Sequence, residues 1–147
     1  MGEEQAFQTG YVVGLLVSMA AFFAIACLVW AVFLRLATQW VQGMQISFAR
    51  AFGTAVLAAL AGGAPSFVIG LLAPLLVALE VGPTVINAMH VVSLLAGFFI
   101  AAAVVSWMLG VRYSQSVLIT VVVYALHIGV VTALAALFIG IPEVFSG

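Results

Sequence analysis

Four long apolar runs, separated by short polar or Gly- and Pro-bearing breaks, make up almost the whole chain. None alternates with the period of two that a half-buried strand needs, and each exceeds the about 20 residues a helix requires to cross a hydrocarbon core. The runs predict spans at about 11–36, 52–79, 85–109 and 117–141. The first break is Thr38-Gln39-Trp40-Val41-Gln42-Gly43-Met44-Gln45, the second Glu80-Val81-Gly82-Pro83, and the third Gly110-Val111-Arg112-Tyr113-Ser114-Gln115-Ser116. Such compositions make turns. Barrel strands would instead be short alternating segments. The expected class is therefore all-α: one integral membrane four-helix bundle over residues 1–147, with no separate domain.

Composition sharpens this picture. Of the 147 residues, 67% are hydrophobic and 5% charged, against roughly 25% charged in an ordinary soluble domain, which excludes a water-soluble monomer. Three basic against four acidic residues leave no cationic field for a polyanion, so no nucleic-acid partner is expected. Cys27 stands alone and supports neither a disulfide framework nor a cysteine metal site.

The few charges are segregated. Arg35, Arg50 and Arg112 fall at the span ends facing the first and third breaks, while Glu3, Glu4, Glu80 and Glu143 fall on the other side. Because arginine near span ends marks the cytoplasmic face, both termini are expected outside, with Trp40 and Trp107 anchoring the cytoplasmic interface beside the arginines. An acidic head without a positive n-region is unlike a cleavable signal, so the first span is expected to be retained. The expected location is a bacterial or archaeal inner membrane.

The two halves share a pattern, W-x-x-G-x-x-x-S, at Trp40–Ser47 and Trp107–Ser114. Indole suits headgroup depth, glycine frees a turn, and serine caps the next helix. In the same alignment Gly62 falls on Gly129. Each unit holds two spans, so the copies are expected to be parallel, unlike the inverted repeats of many transporters. A turn leading through Ser47-Phe48-Ala49-Arg50-Ala51-Phe52, or Tyr113-Ser114-Gln115-Ser116-Val117-Leu118, into a small-residue span resembles the Yip1-like group of polytopic membrane proteins. The likeness covers two short turns, without the long hydrophilic N-terminal region and fifth span of the group's eukaryotic members. It implies a trafficking, scaffold or membrane-organising role and carries no catalytic residue.

Candidate functional positions lie in the spans. Ala51, Ala55, Ala59 and Gly63 form one small-residue stripe on the second span, and Ala58, Gly62, Ser66 and Gly70 form another beside it. Small faces let helix backbones approach in lipid, either within the bundle or toward a second copy or partner subunit. Shorter stripes, Gly10-Gly14-Ser18 and Ser93-Gly97-Ala101, are expected to be internal. Pro65 and Pro74 predict a kink or short unwinding near Ala61.

His90 and His127 are the intramembrane polar candidates. Counted from the outer span ends they differ in depth by roughly 12 Å, so they are not expected to share one iron. His127 is expected to be neutral, buried and hydrogen-bonded across helices, and His90 to reach interfacial water. With no Asp in the chain and no ligand spacing around either histidine, no catalysis, metal site or cofactor is expected. The leading functional expectation is a non-enzymatic structural or accessory subunit, or a self-associating scaffold. Its partners are the lipid bilayer, further copies or other integral membrane subunits. A small transporter or channel built on Pro65, Ser66 and His127 is the alternative, followed by a cofactor-binding subunit using His90 or His127.

Overall fold

The computed structural model describes the backbone over residues 2–144 and the side chains over 10–136, so the side chains of Glu3, Glu4 and Glu143 lie outside the described residues. Its four helices are α1 (Gly2–Gln42), α2 (Phe48–Ala78), α3 (Pro83–Leu109) and α4 (Tyr113–Val144). All four are long and apolar enough to cross a membrane. The protein is an integral membrane four-helix bundle.

The helix ends depart from the apolar runs at both arginine-side turns. Thr38 and its neighbours belong to α1, because the Thr38 hydroxyl donates to the Leu34 carbonyl at 2.6 Å and so travels inside the helix without an unmet polar group. The helix stops only at Gly43, whose φ of 67° is the left-handed conformation a side chain resists. Gly110 closes α3 with the same φ of 67°. Tyr113 through Ser116, expected in a turn, instead form the first turn of α4.

Start signals differ between the halves. Ser47 caps α2 as expected, accepting from the Arg50 N–H at 3.3 Å. Ser114 does not cap α4. There Gln115 Oε1 accepts from the Arg112 N–H at 3.2 Å, the glutamine half of a capping box. At the turn between α2 and α3 the Val81 N–H bonds the Leu76 carbonyl and the Glu80 N–H the Val77 carbonyl, a Schellman closure with Glu80 at φ 56°.

Among the described residues each helix touches two others, in the ring α1–α2–α3–α4–α1, and the diagonal pairs do not meet. The α2–α3 contact is the most extensive. Large aliphatics face outward, as lipid allows, and the buried set is mostly small or hydroxylated: Ala31, Ala37, Thr38, Ala51, Thr54, Ala55, Ala101, Ala102, Ser116 and Thr120, with Leu34, Val105, Leu109, Ile119 and Val123. Without a hydrophobic drive between helices in lipid, such close packing supplies the cohesion. Nearly all of it lies in the half of the bundle next to the two arginine-side turns. In the outer half the described positions of α1 before Cys27 and of α4 beyond Val123 are exposed or half-buried.

The buried positions of the two halves correspond in a register other than the one the shared pattern predicts. The buried face of α2, Ala51, Thr54, Ala55 and Ala58, recurs 65 residues later as Ser116, Ile119, Thr120 and Val123 of α4, whereas the closing glycines Gly43 and Gly110 are 67 apart. The second turn, 110–112, is two residues shorter than the first, 43–47. Gly129 is therefore not the counterpart of Gly62. His127 is.

Candidate functional site

The α2–α3 seam is the closest approach in the molecule. A Cβ built on Gly97 would run into the Gly62 carbonyl, and one on Gly62 would lie 2.9 Å from the Gly97 carbonyl oxygen and 3.2 Å from Ala101 Cβ. One turn outward, Ser66 and Ser93 hydroxyls meet at 3.3 Å. Since Ser93 donates its proton to the His90 carbonyl at 2.8 Å, Ser66 is the donor between them. At the other end of the seam the Arg50 guanidinium donates through Nε (3.1 Å) and Nη2 (2.7 Å) to the Met108 carbonyl. A cation there meets the negative end of the α3 dipole and closes an orphan carbonyl.

The small-residue stripes of α2 divide on this seam. Ala51, Ala55 and Ala58 are buried in the bundle, Ala59, Gly62 and Ser66 are half-buried, and Gly63 and Gly70 are exposed with nothing within 4 Å of a built Cβ. The Ser93-Gly97-Ala101 stripe of α3 is internal. The Gly10-Gly14-Ser18 stripe is not: all three are exposed, Gly10 and Gly14 border open space, and Ser18 donates to its own helix at the Gly14 carbonyl. The half of α1 before Cys27 lies beyond the packed layer, and no described residue covers it.

α2 is helical without interruption through Pro65 and Pro74. No unwinding occurs near Ala61. Proline's fixed φ is itself helical, and in a span the single lost bond is tolerated when the bonds on either side persist.

Where the packed layer ends, the four helices part around a cleft of about 220 Å³. Its wall combines Gly62, Gly63 and Ser66 with Trp30, Phe98 and Tyr124. Tyr124 holds the aromatic group together, edge-on to Trp30 at 5.1 Å between centroids and tilted against Phe98 at 5.7 Å. Sequence reasoning passed over these three. The available signal was a tryptophan and a tyrosine at mid-span, away from the interface depth where both rings usually sit.

His127 is half-buried on α4 and its imidazole makes no hydrogen bond to a described residue, rather than the buried, paired ring expected. His90 is half-buried on α3. Counted inward from the α3–α4 turn, the two histidines are five residues apart in depth, about 8 Å at the helical rise. Among the described residues no three of His, Cys, Asp and Glu gather as a metal would need. Trp40 and Trp107 project outward, 65% and 76% exposed, each three residues before its closing glycine. Arg112 is exposed, and Arg35 lines a pocket beside the longer turn.

No family model matches the chain, and no curated protein or solved structure matches it either.

Proposed function

We propose that the protein is a non-enzymatic structural subunit that associates with other membrane-embedded helices through the outer halves of α1 and α2. The supporting observation is a contrast among glycines. Gly62 and Gly97 are consumed in a backbone contact inside the chain, whereas Gly10 and Gly14 on α1 and Gly63 and Gly70 on α2 border open space. Glycine in an exposed helix interior lowers stability by about 1 kcal/mol relative to alanine, and its common use in a span is to admit another helix. The membrane-organising role implied by the resemblance to the Yip1-like group falls within this reading. The cleft gives the transporter alternative less support, because on the arginine side it is closed by the fully buried Thr38, Thr54, Ile119 and Val123.

The orientation in this reading has both termini outside and the arginine-side turns in the cytoplasm. The test begins from Cys27→Ala. Single cysteines at Gly14 or Gly70 should cross-link to a second chain in the native membrane, and the complex recovered in mild detergent should exceed the monomer mass. A monomer with no co-purifying chain and no cross-link at either position overturns the proposal. A cysteine at Gln42 should resist an impermeant reagent in intact cells while one at Gly147 reacts.

A further inference from the structure

The arginine-side turns differ in more than length. Beside the longer one lies a pocket of about 310 Å³ lined by Val32, Arg35, Leu36, Gln39, Gln45 and Ile46. Its polar wall is one guanidinium and two carboxamides, and it contains no carboxylate. Arg35 makes no hydrogen bond or ion pair to a described residue, and the only described acidic side chain, Glu80, sits in the outer turn at the other end of the bundle. The three arginines are thus used differently. The Arg50 guanidinium is committed to the Met108 carbonyl, and Arg112 is exposed in the short turn. Arg35 lines the concave space.

The position matches a membrane interface. Arg35 lies seven residues before the end of α1, about 10 Å along the axis, a depth from which a long side chain reaches the headgroups while its stem stays in hydrocarbon. Trp40, five residues farther on and 65% exposed, belongs at the same boundary. Gln39 follows Arg35 by one helical turn, so both reach one face. The apolar wall, Val32 and Leu36, runs down α1 into the hydrocarbon layer. Gln45 and Ile46 come from the five-residue turn, which exceeds its repeat-related partner by two. The second unit also has Ala102, buried, where the first has Arg35. The pocket is therefore an addition to the repeated plan.

We propose that this pocket holds the phosphate of an anionic membrane lipid, with Arg35 as its cationic contact, the Gln39 and Gln45 amides as further donors, and the first carbons of an acyl chain along Val32 and Leu36. Guanidinium matches phosphate geometry with paired N–H donors, and a cation close to the membrane surface attracts anionic headgroups.

The test uses full-length protein in nanodiscs of phosphatidylglycerol and phosphatidylcholine, extracted into mild detergent, with retained lipid weighed by native mass spectrometry. Wild type should retain phosphatidylglycerol in preference to phosphatidylcholine. Arg35→Gln should lower that retention about fivefold, the effect of one interfacial cation on an anionic lipid. Arg112→Gln, an exposed arginine at the same end, should leave it unchanged. Thermal unfolding of all three must coincide, since neither side chain is in the core. Equal loss in both variants means a diffuse surface charge and overturns the pocket. Inorganic phosphate, titrated into protein freed of lipid, should not raise the unfolding temperature in an Arg35-dependent way. If it does, and phosphatidylglycerol retention is unchanged by Arg35→Gln, the site takes a free anion and the lipid assignment is wrong.

Discussion

The two seams that join the halves of the chain, α2 against α3 and α4 against α1, set different residues at matching positions and are not alike. Where the first has Gly62, Gly97 and Arg50, the second has His127, Trp30 and Gln115, by the same 65- and 67-residue offsets that relate the helices. Two glycines let the backbones of α2 and α3 touch. At the same places α4 and α1 carry an imidazole and an indole, and the indole packs edge-on to Tyr124, which in turn packs on Phe98. Arg50 ties its seam to the carbonyl end of α3, whereas Gln115 turns back to cap its own helix. One plan thus gives a tight seam and a loose one. The two seams differ in side-chain volume at two positions and in one cation, and the cleft has Gly62, Ser66 and Gly97 of the first seam on its wall as well as Trp30 and Tyr124 of the second.

Breaking the tight seam should have the largest effect. Gly97→Leu puts a branched side chain into the Gly62 carbonyl, beyond the about 1–3 kcal/mol of ordinary overpacking, and thermal unfolding in detergent should fall accordingly. Gly63→Leu, one residue away from the seam, meets open space and should not lower the unfolding temperature. Equal loss in both would remove the contact as the cause.

Next comes the aromatic filling of the loose seam. Trp30→Ala removes the ring that Tyr124 packs on, and a half-buried indole should account for about 2 kcal/mol, below the 3–5 typical of fully buried aromatics. If stability instead rises, the indole is a wedge and nothing more. Arg50→Gln should lower stability by about 1 kcal/mol through the Met108 carbonyl it leaves open, with Arg50→Lys recovering part of it. A loss no larger than that of Arg112→Gln would show the tie to be inert.

The smallest effect belongs to His127. Its ring bonds no described residue, so His127→Leu should shift stability by less than about 0.5 kcal/mol, as an unconstrained position does. A loss of 1 kcal/mol or more would reveal a partner in another chain, and His127→Gln would then restore assembly.

Much of this comparison is written in the sequence, though not in the register that pattern matching selects. The four spans, Ser47 as a cap and the internal Ser93-Gly97-Ala101 stripe follow from residue type and spacing. The Gly10-Gly14-Ser18 stripe has the same spacing and lies outside the packed layer. The reason is physical: lipid and protein interior are equally apolar, so composition around a span does not say which face meets which. Thr38 fails for a related reason, since a polar residue marks a break only when its hydroxyl lacks a carbonyl on its own helix. The aligned Gly62 and Gly129 were misled by a two-residue difference in turn length, which leaves the buried face measured from the start of each second helix.

The hydroxyl bonds also bear on how the chain enters the bilayer. Thr38, Thr54, Thr120, Ser93 and Ser116 each donate to a carbonyl of their own helix, so every span can leave the aqueous insertion channel with these groups already desolvated at little cost. The hydrogen bonds between helices among the described residues, Arg50 to Met108, Ser66 to Ser93 and Tyr113 to Phe99, all have α3 as one partner. α1, first to be synthesised, needs no such neighbour, and α2 gains its partners only once α3 has been translated. Lateral release of α2 alone, with Ser66 unpaired and Arg50 uncapped, is the least favourable stage. The middle hairpin should therefore partition into lipid as a pair.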